Sequence, residues 1–132
     1  MKKIIKYGVI LLALILVLCI FMFAKESKEV NELQFNTVDI SEIRDGIYYG
    51  EENTTLVKAA VEVTVKEGKI QEVTLVRHDN GLGEKAEKII NSIRDKNTYD
   101  VDCISGATIS SQVIKRAVND ALVRQLPVEA KK

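Results

Sequence analysis

Tryptophan is missing from this chain, and proline and histidine each occur once. Cysteine occurs twice, too few for a disulfide-rich scaffold or a four-cysteine zinc site. The lone histidine excludes a multi-histidine metal centre and gives no basis for a Ser-His-Asp set. No metal ligands and no catalytic residues are therefore assigned. An excess of either charge is also lacking, with 19 basic and 19 acidic residues, so there is no general nucleic-acid footprint. At 132 residues the chain has room for one domain, not for a dinucleotide fold with a substrate domain. Repeats and low-complexity tracts are absent. The acidic pair Glu51-Glu52 lies in a polar stretch, where adjacency alone says nothing about acid–base chemistry.

What is present is unevenly distributed. No residue from Tyr7 to Ala24 is charged, a run of 18 residues that meets the length of a spanning helix. Residues 1–6 form a basic N-terminus, with Lys2, Lys3 and Lys6 ahead of the apolar run. By the positive-inside rule they stay in the cytoplasm and the rest of the chain lies outside it. Hydrophobicity runs all round the segment with no polar face, which argues against a buried core helix. Met22 is poorly suited to position −3 for cleavage after Ala24, and Leu18 does not suit lipid modification at Cys19. The reading is an uncleaved anchor at residues 7–24, with cleavage or lipidation as the alternative. Removing the three N-terminal lysines leaves 16 basic against 19 acidic residues, a mildly acidic soluble part that should not cling to DNA or anionic lipid.

Residues 25–42 mix charge with sparse apolar side chains and read as a juxtamembrane tether. A domain over 43–127 and a tail at 128–132 follow. Gly46 to Gly50 is a short first strand after the Asp45-Gly46 turn, and Glu51 to Thr55 is a loop. Ala59, Val61, Val63 and Val65 alternate with polar residues, as in a half-buried strand. Lys66 to Lys69 is a tight turn in which Gly68 takes a positive φ, and Ile70 to Val76 returns as the second strand of a hairpin. Ala86, Ile89, Ile90 and Ile93 mark an amphipathic helix over 84–94. Tyr99 to Ile104 reads as a further short strand. Ile109, Val113, Ile114, Ala117, Val118, Ala121, Leu122 and Leu126 then share one face of a closing helix that Pro127 stops, with Gln112, Lys115, Arg116, Asn119 and Arg124 elsewhere. The fold class is α+β: a small antiparallel sheet with two packed helices, preceded by one transmembrane helix.

The chemistry is concentrated in Asp102-Cys103-Ile104-Ser105-Gly106-Ala107-Thr108-Ile109-Ser110-Ser111. Small residues and Gly106 permit close backbone approach. Ser105, Thr108 and Ser110 cluster where a helix begins, and a helix N-terminus offers free N–H groups and about half a positive charge. Such a place is a seat for phosphate, but Ser and Thr are also the preferred N-caps, and on physical grounds both readings stay open. Gly81 and Gly83 permit backbone approach to a ligand or are plain turn glycines before a helix. His78 reads as a solvated loop residue or a proton relay. Tyr48, Tyr49 and Tyr99 pack on the sheet or stack on a ligand. Cys103 reads as a small buried hydrophobe.

The run Asp-x-x-Ser-Gly-Ala-Thr, followed by hydroxyl residues and an amphipathic helix, resembles the flavinylation motif of the FMN-binding domain family. That family includes the covalent-flavin subunits of sodium-translocating NADH:quinone oxidoreductases and their ferredoxin-linked relatives, and small membrane-anchored extracytoplasmic electron carriers. Asp45-Gly46-x-Tyr48-x-Gly50 resembles the family's opening turn, and the hairpin, the Gly81-Leu82-Gly83 loop and the closing helix follow in the expected order over about residues 43–126.

The resemblance implies covalent FMN carried on Thr108 through a phosphoester, attached by an extracytoplasmic Mg²⁺-dependent flavin transferase with FAD as donor. It implies that Asp102, Ser105, Gly106 and Ala107 serve recognition and positioning, with Gly81 and Gly83 near the cofactor. The larger complex subunits show Thr-Pro before Gly-Leu-Gly, whereas this chain has Asp79-Asn80, which favours a stand-alone carrier. The expectation is a single-pass membrane flavoprotein with its domain outside the cytoplasm, passing electrons from a membrane redox donor to an extracytoplasmic acceptor. It is an electron carrier rather than a complete oxidoreductase. The alternatives are a non-flavin regulatory or interaction module of the same fold, or a small subunit of a larger membrane reductase.

Overall fold

The computed structural model describes residues 1–79 and 83–124. The chain opens with helix α1 (Lys2–Asn31). It is long and apolar enough to cross a membrane, and Met1 to Phe21 are exposed throughout. A 30-residue helix is about 45 Å long. The hydrocarbon core needs only about 20 residues, so the helix outruns a membrane by two to three turns.

Those last turns do not hang free. Glu26 and Val30 are buried against the domain, and the stretch expected as a tether begins as a continuation of α1. The rest of that stretch is also packed down. Asn36 donates its N–H to Asn119 Oδ1 at 3.0 Å, and its carbonyl accepts from Asn119 Nδ2 at 2.8 Å and from Tyr99 Oη at 2.9 Å. Phe35 stacks on Tyr99, with ring centroids 5.8 Å apart. Ile40, in the 3₁₀ turn Ile40–Glu42, and Ile43 enter the core.

Three antiparallel strands follow in the spatial order of the sequence: β1 (Gly46–Asn53), β2 (Lys58–Lys66) and β3 (Lys69–Asp79). Ala59, Val61, Val63 and Val65 of β2 all face the core, as their alternation predicts. Glu67 and Gly68 both have positive φ, the pattern of the tight turn that suits the twist of a hairpin. β1 runs to Asn53, through most of the stretch expected as a loop, because each of its residues finds a partner on β2 down to Asn53↔Lys58.

The expected helix over 84–94 is split. Glu84–Lys88 is 3₁₀ and α2 spans Ile89–Lys96. Ala86 and Ile89 are both buried and three residues apart, a spacing that a 3₁₀ turn places on one side. Asn97 closes α2 in the left-handed conformation and accepts the N–H of Ile70 at 2.7 Å, tying the helix end to the hairpin. Tyr99 to Ile104 forms no strand. Val101 is buried, so the apolar alternation is real, but this segment pairs with no sheet edge among the described residues.

Helix α3 (Thr108–Val123) lies across the sheet. Val113, Ile114, Ala117, Val118, Ala121 and Leu122 are fully buried as expected. Lys115 and Asn119, placed off the core face by periodicity, are buried too. The 33–39 segment covers the back of α3, so the helix is enclosed from two sides: Asn119 holds Asn36, and the Lys115 ammonium lies 5.7 Å over the Phe35 ring. Leu126, Pro127 and the tail at 128–132 lie outside the described residues, as do Asn80, Gly81 and Leu82.

Candidate functional site

The segment before α3 is shaped by a turn and a serine. Ala107 donates its N–H to the Ile104 carbonyl at 3.0 Å, and Gly106 sits at φ 79°, the pattern of a type II turn over Ile104–Ala107. Glycine is needed there for its backbone angle. A Cβ at Gly106 would meet no atom within 4 Å, so the expected close approach is not the reason for it. The fully buried Ser111 clamps the turn from the helix side, accepting the Ile104 N–H at 3.0 Å and donating to the Ala107 carbonyl at 2.7 Å.

None of the clustered hydroxyls caps α3. The N-cap position belongs to Ala107, and no side chain bonds the first-turn N–H groups among the described residues. Simple capping therefore does not account for Ser105, Thr108 and Ser110. What the helix end does meet is a cavity of about 520 Å³, lined on this side by Gly106, Ala107, Thr108, Ile109 and Ser110. The opposite wall is made by Phe23 and Glu26 of α1 and by Leu56 and Val57 between β1 and β2, with Gly83 at the approach to the 3₁₀ turn.

Thr108 is exposed and stands on this wall, while Ser110 is buried beside it. Gly106, Ala107, Thr108 and Gly83 are thus brought together. Ser105 and Asp102 are exposed and lie outside the lining. The Asp102 carboxylate makes no hydrogen bond or ion pair among the described residues. Gly81 falls outside the described residues.

Other candidates go elsewhere. His78 is not a solvated loop residue: it lies within β3, its side chain is only 1% exposed, and Nδ1 is 3.0 Å from Glu87 Oε1, which links β3 to the 3₁₀ turn. Tyr48 packs on the core, Tyr49 is exposed on the far face of the sheet opposite Glu62, and Tyr99 stacks on Phe35. No tyrosine lines the cavity. Cys103 is half-buried. Phe23, Glu26, Leu56 and Val57 escaped sequence reasoning, because no local pattern says that the end of an apolar helix folds back onto a hairpin loop.

The cavity suits FMN on its own features. Its volume lies within the roughly 300–1,000 Å³ of small-molecule pockets, which are mostly apolar with a few placed polar groups. An uncapped helix N-terminus complements a phosphate, and a hydroxyl stands at that terminus. An α+β domain with a phosphate-suited helix end opening on an apolar cavity defines a small cofactor-binding module.

Residues 57–123 match the FMN-binding domain family, and the chain belongs to that family. It is also similar to an uncharacterized protein of Treponema pallidum (strain Nichols), with 32% identity over 90 residues that cover 66% of this chain. The chain spans about a quarter of that protein's length, 25%. No solved structure matches it significantly.

Proposed function

We propose that this protein is a membrane-anchored extracytoplasmic electron carrier with FMN bound covalently to Thr108. The observation that carries this reading is the position of Thr108: an exposed residue on the wall of the apolar cavity, at the start of a helix whose first-turn N–H groups no side chain caps among the described residues. Thr108 Oγ1 is the ester oxygen. Attachment forms its bond to the FMN phosphorus, breaks the pyrophosphate bond of FAD, releases AMP and frees the hydroxyl proton. The phosphodiester keeps one negative charge, which the end of α3 offsets.

The Mg²⁺-dependent flavin transferase that makes this bond needs a recognisable, accessible segment. Asp102 and Ser105 are exposed at the turn, and Asp102 bonds no partner among the described residues. Ser111 and Gly106 give the segment its shape, while Ala107 and Gly83 line the site.

Bound FMN supplies one- and two-electron chemistry, and the protein contributes position, solvent access and electrostatics. Lys2, Lys3 and Lys6, in the first turns of α1 and ahead of its apolar run, support a single-pass topology with the domain outside the cytoplasm. Phe23 belongs both to the apolar run and to the cavity wall, so a flavin held there sits beside the bilayer, where a membrane donor can reach it.

The test is flavin fluorescence on a denaturing gel of the protein co-produced with a flavin transferase, with Thr108→Val alongside. Valine keeps the volume and removes the hydroxyl. A fluorescent band that vanishes in the variant is the expected result. A dark wild-type band, with the transferase active on a control substrate, overturns the reading.

A further inference from the structure

Glu26 is a carboxylate on the exit side of an apolar helix, yet it is only 1% exposed. Its two oxygens are satisfied by the hairpin loop. Oε1 accepts from the Thr54 hydroxyl, and Oε2 accepts the Leu56 N–H at 2.9 Å. One turn on, Glu29 Oε2 accepts both the N–H and the hydroxyl of Thr55, at 3.1 and 2.7 Å. Two glutamates three residues apart therefore hold three successive residues of one loop. Burying a carboxylate is strongly unfavourable unless hydrogen bonds compensate, so this contact is a specific dock, not a chance touch.

The consequence lies next to it. The loop held by Glu26 presents Leu56 and Val57 to the cavity, and Phe23, one turn before Glu26, closes the same cavity from the helix. Thr108 stands on the opposite wall.

Building on the proposed flavin at Thr108, we infer that the end of α1 is a working part of the cofactor site: Phe23 forms part of the wall that confines the flavin, and Glu26 is a positioning residue that holds Leu56 and Val57 against it. The anchor then does more than tether the domain. A phosphoester fixes only one end of FMN, and the ring system stays mobile unless walls confine it. The helix end and its loop supply those walls.

The experiment uses the full chain, flavin-loaded by the transferase and held in detergent micelles, and reads the fluorescence anisotropy of the flavin. Denaturing-gel fluorescence reports loading separately. Phe23→Ala and Glu26→Ala should lower the anisotropy to about half the wild-type value at equal loading. Phe21→Ala, on the same helix but outside the cavity lining, should leave it unchanged. Glu26→Gln keeps an acceptor oxygen for the Leu56 N–H and should restore most of the loss. Wild-type anisotropy in Phe23→Ala and Glu26→Ala overturns the inference and leaves the flavin reading standing. Should Glu26→Ala fail to fold, Phe23→Ala decides alone, since Phe23 is 63% exposed and its truncation spares the core. A wild type without flavin on the gel overturns both.

Discussion

Gly50 and Ala117 meet backbone to backbone: a Cβ built on Gly50 would fall 2.2 Å from the Ala117 carbonyl oxygen and 2.4 Å from the Ala121 nitrogen. The centre of β1 is thus pressed directly onto the middle of α3, and the small side chains of Ala117 and Ala121 complete the fit. That contact sets the height of α3 above the sheet and, through it, the place of Thr108 at the helix start.

Gly50→Ala should accordingly destabilise the domain far more than a surface substitution. The colliding atoms are mostly backbone and cannot swing aside, so the expected cost is about 3 kcal/mol or more. A thermal melt should fall by more than about 10 °C. A melt within a degree or two of wild type would mean that β1 and α3 can part freely.

Ser111→Ala removes the acceptor of the Ile104 N–H and the donor to the Ala107 carbonyl. Leaving a part-buried N–H unpaired costs about 1–3 kcal/mol. Covalent flavin should drop along with stability, because the turn that presents Thr108 loses its clamp. Full loading in a folded variant would show that the transferase tolerates a slack segment.

Asp102→Ala should separate loading from stability. Its side chain is exposed and bonded to nothing among the described residues, so thermal stability should stay within about 0.5 kcal/mol of wild type. Flavin loading should fall through lost recognition. Normal loading would leave Asp102 without a role in attachment.

Tyr99 ties stability to alkaline pH. Burial, and then the neighbouring Asp100 charge, hold its hydroxyl above the usual tyrosine range. A group with a raised folded pKa contributes stability that is complete below its unfolded pKa, about 10, and is lost as pH rises through the folded value. Ionisation also removes the proton that Tyr99 donates to Asn36. Melting temperature should decline above about pH 10 in the wild type, and part of that decline should disappear in Tyr99→Phe. Identical slopes in the two proteins would remove Tyr99 as the cause.

Topology is checked by protease added to right-side-out vesicles or wall-stripped cells. The domain should be digested while the lysine-bearing end of α1 stays protected. Complete protection of the domain would reverse the orientation.

Much of the architecture was legible because its signals are local. Ala59 to Val65 declares a half-buried strand by alternation, Gly68 declares the turn, and Val113 to Leu122 declare one helical face. The failures share a cause. Tyr99 to Ile104 alternates like a strand, but alternation reports which side chains are buried, not whether a sheet edge is free to pair. Lys115 and Asn119 looked solvent-facing because periodicity sees one helix at a time and not the 33–39 segment folded over its back. Ser105, Thr108 and Ser110 left a cap and a phosphate seat both open, because composition alone cannot tell a hydroxyl near a helix end from one bonded to it.

The sequence by itself determined the apolar segment long enough to span a membrane, the hairpin, the closing helix and the Asp-x-x-Ser-Gly-Ala-Thr segment that carries the family resemblance. Each depends on residues within a few positions of one another, where spacing and turn chemistry dominate. Tertiary structure alone decided that Phe23, Leu56 and Thr108 share one cavity and that Glu26 is buried beneath a loop about 30 residues away. Those relations arise from packing between distant segments. A carboxylate next to a long apolar run looks solvated in one dimension, and only the fold supplies the hydroxyl and amide that let it be buried.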